Sequence, residues 1–136
     1  MPEVDATELI HAAMPLCATL GVRASEVGAE RVSLSLDWAP ELCTSGGLLH
    51  GGVLMALADA AGGACAFANL PSGASGTSTV ESKTNFLGGV TAGEVTAVAS
   101  ALHVGSTTIV VETELTSGGR LVAKVTQTQL VLRPRA

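Results

Sequence analysis

One carboxylate stands apart in this chain: Asp59 is the lone acid in the long apolar run from Val53 to Leu70, whose other polar residue is Asn69. A carboxylate in such surroundings is costly unless it is paired or used, so Asp59 is a candidate acid/base or nucleophile. The competing reading puts it on an exposed edge or against a backbone donor. Just upstream, Gly46-Gly47-Leu48-Leu49-His50-Gly51-Gly52 leads into the same run. The first N–H groups of a helix have no partner within it and sit at the positive end of its dipole. This segment therefore offers a seat for an oxyanion or a carbonyl oxygen. Glycine removes the side chain that would block close approach, although Gly51-Gly52 serves a tight loop-to-helix turn equally well. His50 lies at that turn, where donating a hydrogen bond that fixes the loop suits it better than general-base duty.

Gly51 and Asp59 are eight residues apart, which on one helix separates them by about 12 Å along the axis. One chain cannot aim both at a single carbonyl. A site that uses both must combine Gly51 of one subunit with Asp59 of another, with two such helices side by side around a two-fold axis. Ala56, Ala60, Ala61, Gly62, Gly63 and Ala64 permit that approach, and they equally permit tight packing of helix on sheet within one chain.

Other chemistries find no support. His11, His50 and His103 show neither HxxxH nor HExxH spacing, so a metal site is not expected. His50-Gly51-Gly52 is like an oxyanion loop of the α/β-hydrolases, but Gly73-Ala74-Ser75-Gly76-Thr77 is not GxSxG. Neither GxxxxGK[ST] nor GxGxxG occurs. A net charge of −5 without a basic cluster disfavours DNA and anionic membranes, and two Phe, one Trp and no Tyr are too few rings to stack unpaired bases. Cys17, Cys43 and Cys65 are odd in number and lack a CxxC, as expected of reduced core residues in a cytoplasm. The acidic start Met1-Pro2-Glu3-Val4-Asp5 has no apolar stretch after it, so no export signal is expected.

The elements that must position these residues follow from periodicity. Thr7 can cap a helical flank over about 7–20 with Gly21 as its C-cap, and Arg31 to Trp38 alternates as a half-buried strand. After the turn-rich Pro40–Gly47, the chain is apolar on every face to about Ala68, the pattern of a helix swathed by other elements and not of a membrane span. Past the linker Pro71–Gly76, strand-like segments run over Ser78–Leu87, Gly93–His103, Thr107–Leu115 and Leu121–Leu132. Their glycine-rich separators predict an antiparallel meander. The expected architecture is one α+β domain over residues 1–136, its antiparallel sheet wrapped around the long helix.

Leu49-His50-Gly51-Gly52-Val53 followed by Leu57-Ala58-Asp59 resembles the signature of hotdog-fold acyl-CoA thioesterases of the phenylacetate-pathway (PaaI) type. Asn85-Phe86-Leu87, Gly93-Glu94-Val95, the turn at Gly105 and Gly119-Arg120-Leu121-Val122-Ala123 extend the likeness over most of the chain. The resemblance implies a five- or six-stranded sheet around the helix, subunits pairing into a continuous sheet, and dimers that often pair again. It implies that the Gly51 N–H meets the thioester oxygen, that Asp59 of the partner chain attacks the carbonyl or activates water, and that His50 shapes the loop. Thr79 matches a position where some relatives orient water with a serine; strand packing is its other reading.

By the same resemblance Thr44, Gly52 and Gly63 match substrate-binding positions, two of them altered: Thr44 stands where members commonly carry Asn or Gln, and Gly63 where others carry Ser or Thr. Ser106 stands where relatives often carry Arg or Lys after the glycine matching Gly105, leaving Arg120, Lys124, Arg133 and Arg135 as candidates for the coenzyme A phosphates. No cofactor is implied, because coenzyme A is part of the substrate. The rival on the same scaffold is a non-catalytic acyl-CoA binder or sensor. A hydratase is disfavoured because His103 is the only spare histidine.

Overall fold

The computed structural model describes residues 4–135, so Met1-Pro2-Glu3 of the acidic start lies outside it. The chain opens with α1 (Ala6–Ala13) and α2 (Pro15–Leu20), then β1 (Arg23–Val27) and β2 (Val32–Asp37). Two 3-10 turns lead to the long helix α3 (Gly51–Ala68), which precedes β3 (Gly76–Phe86), β4 (Glu94–Val104), β5 (Thr108–Ser117) and β6 (Arg120–Leu132).

The expected flank helix is two helices. Proline disfavours helical backbone in the residue before it, and Met14 ahead of Pro15 is turned out to φ −133°, ψ 89°. The cap of α1 is Asp5, whose carboxylate accepts from the Thr7 N–H at 2.8 Å. The Thr7 side chain is thereby left free of capping, and its Oγ1 accepts the Ala24 N–H at 2.9 Å, tying α1 to β1. Gly21 ends α2 at φ 72°, as its place predicts.

All six strands pair antiparallel in the order β1-β2-β4-β5-β6-β3. The expected meander holds for β4, β5 and β6 but not for β3, which pairs with β6 at the far edge. Residues 87–93 between β3 and β4 are too many for a tight hairpin turn, and they carry the chain across the sheet instead. β1 has no counterpart among the expected elements: four of its five residues are exposed, so it shows no alternation to detect.

The inner face of the sheet closes on α3. Leu34 and Leu36 of β2 lie beside Ala97 and Val95 of β4, and with Val111, Leu115 and Val125 they cover Leu54, Leu57, Ala58, Ala61 and Cys65 of the helix. By length and composition α3 could cross a membrane, yet it is the core helix of this sheet. Cys17 and Cys65 are buried, which pushes both thiols up from their ordinary range, whereas Cys43 is only half-buried and not a core residue. A disulfide reagent added to native protein is expected to modify Cys43 first, with Cys17 and Cys65 reacting only on unfolding; mass spectrometry after timed quenching checks the order, and equal rates would contradict this packing.

Candidate active site

Asp59 sits midway along α3, on the side facing β3 and β6, and is exposed. Its Oδ1 accepts two hydrogen bonds, from Thr79 Oγ1 and from Gln127 Nε2, each at 2.9 Å. Thr79 lies directly across the β3–β6 ladder from Gln129, whose Nε2 donates to Thr79 Oγ1 at 2.6 Å. An amide nitrogen can only donate, so the one hydroxyl hydrogen of Thr79 is committed to Asp59. The result is a directed chain, Gln129 to Thr79 to Asp59, joined by Gln127. Oδ2 receives no hydrogen bond among the described residues, so its lone pairs are left open.

Sequence reasoning missed both glutamines. They lie on the inward row of β6 with Val125 and Val131, fully buried or nearly so. Buried amides in an apolar row are costly unless they are bonded. Their shared strand parity with two valines is a signal that the sequence itself carries.

A groove of about 560 Å³ opens beside Asp59, Thr79 and Gln129. Ile10 and Met14 from the N-terminal helices, Val27 from β1, and Gly63 and Phe67 from α3 line it. Asp59, Gly63 and Phe67 follow at i, i+4 and i+8, one stripe of the helix. A Cβ at Gly63 would meet nothing within 4 Å, so packing inside this chain does not require glycine there. Glycine in a helix interior costs about 1 kcal/mol relative to alanine.

At the other end of the stretch, His50 is the N-cap of α3: its Nδ1 accepts the Gly52 N–H at 2.8 Å. The loop is fixed by a bond that the imidazole accepts, and not by the donated bond that the sequence suggests. The Gly52 N–H is thereby occupied. The Gly51 N–H has no partner among the described residues and remains available. A Cβ on Gly51 would come within 3.1 Å of Phe86 Cζ, so glycine lets that ring lie over the helix start. Thr44 is exposed, and its N–H bonds to the Leu48 carbonyl at 2.8 Å. Within one chain Gly51 and Asp59 do stand on the same helix, far apart along it.

Of the cations, Lys124 is paired with Glu112 and Glu114. Arg120 donates to the Gly89 carbonyl, and Arg133 donates to the carbonyls of Ser72 and Ser106. Those two guanidiniums bond only neutral oxygens there and retain an uncompensated charge at the loops they hold.

The thioesterase superfamily model matches residues 46–124, from the glycine loop into β6. The chain belongs to this superfamily. A provisionally assigned esterase of Mycobacterium tuberculosis is 31% identical over 106 residues, 76% of each chain. Its solved structure superposes with a TM-score of 0.86 at 28% identity, over 90% of this chain and 100% of that one. A thioesterase family protein of Silicibacter pomeroyi gives 0.85 at 29% identity, over 94% and 96%. A mutant of the phenylacetic acid degradation protein PaaI of Thermus thermophilus shares the fold, with a TM-score of 0.80 at 24% identity over 87% and 99%. The fold is the hotdog fold that the HGG…LAD segment implied, and the protein is a thioester hydrolase.

The cap gives a direct stability test. His50→Ala is expected to lower unfolding free energy by about 1 kcal/mol, whereas His50→Asn, which can still accept the Gly52 N–H, loses much less. Denaturant unfolding of the pair checks this, and equal losses would contradict capping as the role of the ring.

Proposed function

We propose that this thioester hydrolase cleaves acyl-CoA substrates at a site completed by two subunits, with Asp59 as the reacting carboxylate. The observation that carries the reading is the asymmetry of Asp59: Oδ1 is held by two donors while Oδ2 receives none among the described residues, and the residue lines a largely apolar groove. Gly51 of the partner subunit polarises the thioester oxygen through its free N–H, helped by the helix dipole. Asp59 Oδ2 then either attacks the carbonyl carbon or takes a proton from a water that attacks it. The tetrahedral intermediate expels coenzyme A as a thiolate, which needs no strong acid; where water attacked, the free acid forms directly, and where Asp59 attacked, water then hydrolyses the acyl–Asp59 anhydride and regenerates the carboxylate. His50 holds the loop, and Thr79 spends its hydrogen on Asp59.

The open edge supports the two-subunit site. Among the described residues β3 has no neighbour on its outer side, and Val80 and Phe86 are 57% and 51% exposed. In an antiparallel self-pairing centred on Ser82, Glu81 of each strand faces Lys83 of the other, a favourable cross-strand pair. A dimer so formed, or a dimer of dimers, makes the sheet continuous and brings α3 beside its copy. The reaction needs no cofactor, and the reduced cysteines fit a cytoplasmic protein. From Asp59 to Phe67 the groove runs roughly 12 Å along the helix, room for a medium-length acyl chain.

A second reading, a binder of acyl-CoA without turnover, has one observation in its favour: Gly63 has no hydroxyl, and that of Thr79 is engaged, so neither is left to donate to a water. Thiol release over a panel of aryl and straight-chain acyl-CoAs separates the two. Asp59→Asn and Asp59→Ala are expected to lose about 10²- to 10⁴-fold in kcat with the oligomer intact by size-exclusion chromatography; near-native turnover by both would sink the mechanism. Gly63→Leu fills the groove next to the acid, so its activity should shift toward shorter acyl groups. An unchanged chain-length profile would place the acyl group elsewhere.

A further inference from the structure

The geometry points to Gln127 and Gly62 as one coupled positioning device for Asp59, a lock in which the glycine exists to admit the amide. The inference rests on Asp59 being the reacting carboxylate. Gln127 is fully buried, and its side chain lies across the backbone of α3. A Cβ at Gly62 would fall 1.5 Å from Gln127 Oε1 and 2.5 Å from its Cδ. No residue but glycine fits there while the amide stays in place. Gly62 is three residues beyond Asp59, so the amide that crosses the helix at Gly62 reaches back to Asp59 one turn earlier.

The amide is held against its own interest. Gln127 Oε1 is buried with no hydrogen-bond partner among the described residues, while Nε2 donates to Asp59 Oδ1 at 2.9 Å. Reversing the amide would press Oε1 against the lone pairs of an ionised carboxylate, so facing an ionised Asp59 the orphan oxygen is unavoidable. A valine or leucine at 127 would continue the row of Val125 and Val131, and alanine at 62 would strengthen the helix. The chain thus carries two local defects, a helix-interior glycine and an unsatisfied buried oxygen, and among the described residues the one side-chain bond they produce ends on Asp59. Such a bond is what orients a reacting carboxylate: with Thr79 alone on Oδ1 the carboxylate can turn about χ2 and exchange its two oxygens. Two donors on one oxygen fix which one is left to react.

The test uses the full-length protein and two variants, Gln127→Met, which keeps bulk without the donor, and Gly62→Ala/Gln127→Leu, which repairs both defects. Thermal midpoint, oligomeric state, kcat and KM on acyl-CoAs, and the Asp59 side chain in crystals are read for each. The double variant is expected to melt at least as high as wild type while kcat falls about 10- to 100-fold with KM changed less than about threefold. A purely structural glutamine would move the melting point and leave kcat alone. In Gln127→Met crystals Asp59 is expected to occupy more than one rotamer. A folded double variant with wild-type kcat and a single Asp59 rotamer overturns the proposal. A wild type that turns over no acyl-CoA removes the acyl-CoA reading alone, because the Asp59 rotamer in the variants still decides whether Gln127 positions it.

Discussion

Everything in this molecule is arranged around a polar seam between the long helix and the last strand, where Gln127 and Gln129 of β6 meet Asp59 and Thr79. Each bond in the seam constrains more than its two partners. The Gln129–Thr79 bond requires β3 beside β6 in the register observed, and the Gln127–Asp59 bond fixes how α3 is rotated over the sheet. A one-residue slip of β6 would turn both glutamines to the outer face and bring their neighbours Thr126 and Thr128 inward, so the surroundings of Asp59 and the strand register are specified together. The crossing of residues 87–93, which moves β3 away from β4, is the topological condition for the site.

The apolar core and the seam make different contributions. Leu34, Leu36, Leu57, Ile109 and Leu115, all fully buried, supply the hydrophobic free energy that holds helix and sheet together. The seam interrupts that core with buried amides, and Thr113 adds a buried hydroxyl without a partner. Burying such groups opposes folding, and the surrounding packing offsets the cost. The proposed site thus coincides with the place where the fold is locally least favourable, which is the usual relation between a stable scaffold and a reactive site.

The legibility of the sequence follows the same division. α3 and the strands β2, β4, β5 and β6 are readable because their patterns are set by burial on one face or all faces, and Asp59 and Gly51 are readable because each breaks or begins such a pattern. β1 is not, because an exposed edge strand leaves no period. The break at Pro15 and the cap at Asp5 are present as residue types but are outweighed by the apolar spacing through 9–20. The place of β3 is lost because strand patterns report which face is buried and carry nothing about which neighbour is paired. The glutamines escape notice for a related reason: their meaning depends on the helix opposite, and only the paired structure brings residue 127 to residue 59.

The two edges of the sheet finally account for the direction in which this fold can associate. At the β1 edge, Thr7 ties α1 to the strand through Ala24, Arg23 is ion-paired to Asp37 and Glu94, and Arg31 to Glu26. Charges and an adjacent helix blunt that edge against strand addition. β3 has only the β6 side paired and presents Val80 and Phe86 outward. Since β3 also carries Thr79, the edge left open is the edge that holds one end of the Asp59 seam. Pairing at β3 therefore builds an interface next to Asp59, while pairing at β1 would leave its surroundings unchanged.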